Sequence, residues 1–465
     1  MTSIYNLPDG PTLPRYLRLA KFITQSVKQV EDFAKVYGDN FTIQNRGGQH
    51  IVYFSHPQAL EEIFNADPSC FQSVRGNRGL EFLLGDNSGI LLDGELHQSQ
   101  RQLLIPHFYE ERRESYGQTI RKITQEVSNE WIIGKPLNIH LSMSEITWRV
   151  SLRLVFGIDE KPICQELGRL ITSLLDLIAS PLMSSTLFFF MGKDLGAWSP
   201  GGRVVRLLQQ IDKLIYTLIQ KRRIKSGQYR QDILSFLISA HDQNGVGISD
   251  IELRDELMTI LVAGYETTAS ALTWAFYWLG QLPEVREKLQ RELETININT
   301  ESSKIIKLPY LTAVCQETLR IYPILVNGLP QTVKTPIKIM GYQLPIGTII
   351  VPSIYLAHHR QQTYSQPQKF QPERFLERQF SPYEYLPCGG GNRPGIGLAF
   401  AQDKMKIALA TILAEFELSL VNQKPVYPVR RGFTLAAPSR MQMIPTIQVK
   451  TANIPLTTSP LTTSM

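Results

Sequence analysis

Four short segments of this chain hold residue types that could do chemistry. The most unusual is Tyr385-Leu386-Pro387-Cys388-Gly389-Gly390-Gly391-Asn392-Arg393-Pro394-Gly395-Ile396-Gly397. Consecutive glycines permit unusual backbone angles and close approach to a large flat ligand. Arg393 offers a planar charged fork suited to carboxylates. In Ala263-Gly264-Tyr265-Glu266-Thr267-Thr268 an acid stands beside hydroxyls within an apolar stretch. Such a pair can relay protons, and Thr267 can bond back to the carbonyl of Ala263 and distort a helix. In Glu317-Thr318-Leu319-Arg320 opposite charges lie three apart, on one helix face. His97 and Arg101 lie four apart and share a face likewise. Taken singly, each has a plainer reading: a turn before a helix, a polar cluster in a core helix, an exposed polar face.

Their order along the chain removes that ambiguity. Leu308-Pro309-Tyr310-Leu311 precedes the Glu-x-x-Arg pair and Ile321-Tyr322-Pro323 follows it; Pro372-Glu373-Arg374-Phe375 comes next, then the glycine loop. In this order, over residues 5 to 450, the chain resembles the cytochrome P-450 superfamily. The resemblance implies a mainly α (α+β) fold: a large helical domain with a small β-rich lobe, enclosing haem b. It also implies one domain over 1–465 with its core at 5–450, while the Thr-, Ser- and Pro-rich composition of 451–465 predicts a disordered tail. The expected reaction is monooxygenation of an apolar small molecule such as a fatty acid or terpenoid. By the same resemblance Thr267 would hold bound oxygen and its water, and Glu266 would feed protons inward. Ala263 and Gly264 would give the haem and oxygen room. Gly389, Gly391, Gly395 and Gly397 would shape the loop, and His97, Arg101 and Arg393 would hold the propionates. Glu317, Arg320 and Arg374 would form a buried triad that locks the scaffold without acting in catalysis.

The chain departs from the family in two places. The family's loop reads Phe-x-x-Gly-x-Arg-x-Cys-x-Gly, with the cysteine thiolate on the iron. Here the ligand position is Gly395 and the phenylalanine position is Cys388. Three readings stay open: Cys388 as a relocated ligand; haem bound through water or another ligand, or bound poorly; and Gly395 as a changed residue in an otherwise ordinary oxygenase. As plain packing, Cys388 is a small apolar filler. Further, relatives often place a propionate arginine ten or eleven residues beyond the Glu-x-x-Arg arginine, where this chain has Pro330 and Gln331. An inactive haem- or apolar-ligand-binding protein is therefore the alternative function.

Positioning these residues calls for long helices. The largely apolar run from Leu257 to Gly280 predicts a buried central helix, since Glu266, Thr267, Thr268 and Ser270 would be costly in a bilayer. Helix is expected from Leu398 to Phe416, and helical periodicity dominates from about 95 to 290. Phe41–Gln44 and His50–Phe54 read as a strand pair around Gly47-Gly48, and 330–352 as short strands. Residues 296–305 read as a surface connector. The apolar run Leu187-Phe188-Phe189-Phe190-Met191 reads equally as a channel lining, a membrane-surface contact or core.

Bulk composition narrows the class. At 465 residues with 43% hydrophobic and 19% charged, the chain can build a large core. Its charge, 48 − 42 = +6, is mild, and no nucleic-acid-binding motif is present. The run Lys221-Arg222-Arg223-Ile224-Lys225 reads as a solvated helix end. Four separated cysteines, Cys70, Cys164, Cys315 and Cys388, without a leader sequence fit a reducing cytoplasm, with peripheral membrane contact allowed. Leu7 to Pro14 resembles the proline-rich entry that follows a membrane anchor in relatives, and no anchor is expected here. No reductase domain is visible, so a separate ferredoxin or flavodoxin is expected, docking on Arg112, Arg113, Lys122, Lys404 and Lys406.

Overall fold

In the computed structural model the described residues are 6–11, 27–44, 49–72, 80–105, 113–158, 161–179, 196, 199–224, 232–241, 245–297, 302–431 and 434–447. The run Leu187–Met191, Arg112, the side chain of Arg113 and the 451–465 tail lie outside them.

The central helix runs from Asp250 to Gln281, 32 residues. It starts about two turns before the expected Leu257. Its start is a capping box: the Ser249 hydroxyl accepts from the Glu252 N–H, and the Glu252 carboxylate accepts from the Ser249 N–H. Of the charged residues that broke the apolar run, Arg254 and Asp255 are buried as a pair. Arg254 donates to Asp212 at 2.7 Å and to Asp255 at 3.0 Å. The helix is buried nearly all round, as a helix through the middle of a core must be. Trp274, Leu272 and Phe276 pack with Ile139, Met143 and Ile146 of the helix Ile139–Phe156. Among the described residues no helix is long and apolar enough to cross a membrane.

The β-structure is small. Asn40–Gln44 pairs antiparallel with His50–Phe54, as expected, and His50–Phe54 runs parallel to Ile349–Pro352. Gln331–Val333 and Phe71–Gln72 complete this five-stranded sheet. Ile337–Ile339 and Tyr342–Leu344 form a hairpin.

Several local expectations are corrected. The helix after the glycine loop spans Leu398–Leu413, and Phe416 opens a strand, Phe416–Leu420. Phe416 pairs with Ile447 and packs its ring 5.4 Å from that of Trp131, which favours the strand. The stretch 296–305 is not connector throughout, because Ser302–Ile305 is a helical turn with both ends buried. Glu114 caps it by accepting from the N–H groups of Ser302 and Ser303. In the basic run Lys221 is exposed as expected and Lys225 lies outside the described residues, but Arg222 and Arg223 turn to partners within the fold. Arg222 donates to Asp232 and, at 2.6 Å, to the Phe156 carbonyl, while Arg223 donates to Asp250 at 2.7 Å.

Candidate active site

A cavity of about 1080 Å³, with mostly apolar walls, lies between the central helix and the glycine loop. The loop packs closely on Phe64: a Cβ on Gly390 would come within 2.6 Å of its ring, and one on Gly391 within 3.0 Å of its Cα. Gly391 also has φ +68°. Both positions therefore need glycine for close packing. On the cavity side, Gly389 and Gly397 leave open space, with nothing within 4 Å of a Cβ built there. The fifth glycine, Gly395, faces Cys388. A Cβ on Gly395 would stand 3.1 Å from the Cys388 Cβ and 3.8 Å from its Sγ. The Gly395 N–H also donates to the Cys388 carbonyl at 3.1 Å. Both residues line the cavity. Burial pushes the Cys388 thiol up to about 11, so it is neutral unless a cation draws off its proton.

Charged groups collect at one end. Arg393 donates to the carboxylate of Asp93 at 2.5 Å and to the Leu92 carbonyl at 2.6 Å. Arg101 donates to the Pro394 carbonyl at 2.7 Å, tying the helix Gly94–Leu104 to the loop. His97 lies on that helix and lines the same cavity. Burial and then the Arg393 and Arg101 charges hold its imidazole down at about 4, so it is neutral at pH 7. Asp93 escaped the sequence reading; an acid next to Gly94 carries no recognisable motif. Gln331 also lines the cavity, and its buried Oε1 has no partner among the described residues.

On the central helix, the Thr267 hydroxyl donates to the Ala263 carbonyl at 2.5 Å, and that of Thr268 to the Gly264 carbonyl at 3.2 Å. Glu266 is 7% exposed, and burial raises its carboxyl to about 7 against the help of Ser270. Its Oε1 lies 3.7 Å from Nε2 of buried His140, which in turn meets the Thr273 hydroxyl at 3.3 Å. His140 sits 126 positions away in sequence, and no local pattern announces it.

Lys404 is the largest surprise. The sequence places it on a partner-docking surface, together with Lys406. Instead the two are 1% and 8% exposed. Lys404 Nζ donates to the Gly264 carbonyl at 3.0 Å, and Lys406 Nζ to the Ile306 carbonyl at 2.9 Å. Burial lowers the Lys404 amine to about 7. A helix packed against the central helix on one side has no solvent face there, so a charge at that position turns inward. Neither lysine belongs to an exposed dock.

Behind the loop, Arg320 donates to both carboxylate oxygens of Glu317, at 2.6 and 2.9 Å, and Arg374 donates to Glu317 at 3.2 Å. Further donations from Arg320 reach the carbonyls of His358 and Pro367, at 2.8 and 2.9 Å. All three side chains are buried, and their bonds tie the helix Pro309–Ile321 to the segment leading into the loop.

Comparison with known proteins agrees with this architecture. The family model Cytochrome P450 matches residues 8–444, and the chain belongs to that family. It is 32% identical to "Putative cytochrome P450 135B1" of Mycobacterium tuberculosis over 90% of this chain and 87% of that protein. It is 30% identical to "Putative cytochrome P450 135A1" of the same organism over 92% of each chain. Among solved structures, retinoic acid-bound cyanobacterial CYP120A1 superposes with a TM-score of 0.83 at 23% identity, covering 96% of this chain and all of that one. The fold is the cytochrome P450 fold, and the family's cofactor is haem b.

The residues present fit that macrocycle in part. The bare backbone faces of Gly389 and Gly397, and the open side of Gly264, admit a large flat group. His97, Arg101 and Arg393 stand at one end, where its carboxylates would lie. The thiolate does not fit its usual place, because Gly395 has no side chain.

Proposed function

We propose that the chain is a haem-dependent monooxygenase acting on an apolar small molecule, with Cys388 as the residue that would hold the iron through its sulfur. The observation that carries this reading is the Cys388 thiol on the cavity wall, 3.8 Å from where a Cβ at the family's ligand position would stand. Cys388 is the only cysteine lining the cavity among the described residues. A coordinating metal takes the proton from a thiol outright, which would offset the burial that now keeps it neutral. Bound haem would supply oxygen activation, for which thiolate ligation is the main lever.

The chain's own residues would do the rest. Arg101 and Arg393 would bind the propionates, with neutral His97 as a further donor or acceptor. Glu266, titrating near pH 7, can hold a proton on its carboxyl and release it near neutrality, which suits a proton carrier. His140 and Ser270 keep that carboxyl oriented. Thr267, whose hydroxyl now rests on the Ala263 carbonyl, would offer a hydroxyl to the cavity beside Glu266. The triad of Glu317, Arg320 and Arg374 would hold the scaffold under the loop. Apolar walls would exclude water and select a greasy substrate. Electrons would come from a separate ferredoxin or flavodoxin, and residues 5–450 would act as one unit.

A second reading, a haem- or ligand-binding protein without oxygenase chemistry, is favoured by the neutral thiol and by Gln331 in place of a propionate arginine. Single-turnover oxidation of a bound terpenoid or fatty acid, in wild type and in Cys388→Ala, separates the two. Product from wild type alone supports the oxygenase. No product from either, with haem fully loaded, supports the binding protein.

A further inference from the structure

Glu256 precedes Ala263 by seven residues and Thr267 by eleven, close to two and three helical turns. The three therefore share one stripe of the central helix, and all line the cavity. Glu256 is 4% exposed. Its Oε2 accepts the Gly89 N–H at 3.3 Å, and no other hydrogen bond or ion pair reaches its carboxyl among the described residues. The neighbouring charges are engaged elsewhere: Arg254 with Asp212 and Asp255, and Asp255 also with Asn87 at 2.9 Å. From the facing helix, Gln100 Nε2 donates to the Asn87 carbonyl at 2.9 Å. That bond fixes the amide, and its buried Oε1 is left without a donor. Two acceptors thus stand together in an apolar cavity with too few donors, and an unsatisfied buried polar group is costly. A buried carboxyl with one long backbone hydrogen bond, facing an apolar cavity, is a candidate ligand contact.

We propose that Glu256 anchors a basic amine, so that this chain's ligand is an apolar molecule carrying a protonated nitrogen at one end. An ammonium group both donates to the carboxylate and neutralises it. An alcohol would leave the charge standing, and a carboxylate would be repelled by Glu256 and Asp255. Where the oxygenase reading holds, the oxidised carbon lies near Ala263 to Thr267. At 1.5 Å per residue that is about 10 to 16 Å along the axis from the anchor.

Burial, opposed by the Gly89 N–H and reinforced by Asp255, raises the Glu256 carboxyl to about 7. Its charged surroundings on the same helix are Asp255, Arg254 and Glu252. On the facing helix Arg101 follows Gln100, but it is turned to the Pro394 carbonyl. Amine binding should therefore strengthen as pH rises through 7, and it should release protons.

Isothermal titration of the full-length protein tests this, using N,N-dimethyldodecylamine, dodecanol and dodecanoate. A hindered tertiary nitrogen is a poor iron ligand, so haem does not confuse the result. A charge-assisted hydrogen bond corresponds to about 10- to 100-fold in affinity. The amine should bind at least about tenfold more tightly than the alcohol, and Glu256→Gln should abolish that preference while dodecanol binding holds. Equal affinities, a preference for dodecanoate, no amine binding, or unchanged amine affinity in Glu256→Gln would each overturn the proposal. If that variant fails to fold, the wild-type profile decides: amine affinity must rise from pH 6 to 8 while that of dodecanol stays flat. Turnover is not measured, so loss of the oxygenase reading would leave this result standing.

Discussion

Replacing Gly395 by cysteine is the obvious repair of the family pattern, and the geometry predicts that it fails while Cys388 remains. The new Cβ would lie 3.1 Å from the Cys388 Cβ and 3.8 Å from its Sγ. Disulfides have Cβ–Cβ separations of about 3.5–4.5 Å. Relaxation by a few tenths of an ångström, which the crowding itself drives, brings the pair into that range. The Gly395 N–H to Cys388 carbonyl bond already holds the two backbones together. Closing so short a loop stabilises by about 2.5 kcal/mol in the chain-entropy model. Overpacking costs about 1–3 kcal/mol. The two nearly cancel, so the crosslink should form under mild oxidation without a stability gain. Gly395→Cys raises the thiol count from four to five. After oxidation, intact-mass and thiol titration should find three free thiols and the loss of two hydrogens. Peptide mapping should join positions 388 and 395. The double variant Cys388→Gly/Gly395→Cys removes the crowding and should keep every remaining thiol. Five free thiols in oxidised Gly395→Cys would refute the adjacency on which the ligand argument depends.

The other predictions concern the buried charges. Glu317→Ala leaves the Arg320 and Arg374 guanidinium groups buried and unpaired, and should cost about 3–5 kcal/mol in denaturant unfolding. Glu266 has a folded-state pKa of about 7 against 4.5 for the free group. Between those values the folded chain binds more protons than the unfolded one, so stability falls as pH rises from 4.5 to 7; Glu266→Gln should remove on the order of 3 kcal/mol of that fall. Lys404 is the opposite case, its amine lowered to about 7 from 10.5. The unfolded chain binds the extra proton between those values, so stability rises with pH there; Lys404→Met should flatten the slope and stabilise the chain at pH 7 by a few kcal/mol.

Local contacts and repeating patterns were legible in the sequence; long-range partners were not. The pairing of 40–44 with 50–54 follows from two β-prone runs that flank Gly47-Gly48 in the sequence. Glu317 and Arg320 meet because three residues make almost one helical turn. The start of the central helix was missed although Ser249-x-x-Glu252 announces it, because Arg254, Asp255 and Glu256 interrupt the apolar run that marked its extent. Lys404 and Arg222 were misplaced for a related reason. Charge predicts exposure only where solvent is within reach, and both lie where a neighbouring helix or turn covers the side chain. His140 and Glu256 carry no motif at all. Their interest comes from what the fold sets beside them, Glu266 in one case and an apolar cavity in the other.

The most direct test of the central claim is the spectrum of haem-loaded protein, reduced and exposed to carbon monoxide. Sulfur ligation through Cys388 predicts the thiolate-type Soret band in wild type and its loss in Cys388→Ala, with haem still bound. A wild-type spectrum without that band, or one that Cys388→Ala leaves unchanged, would contradict it.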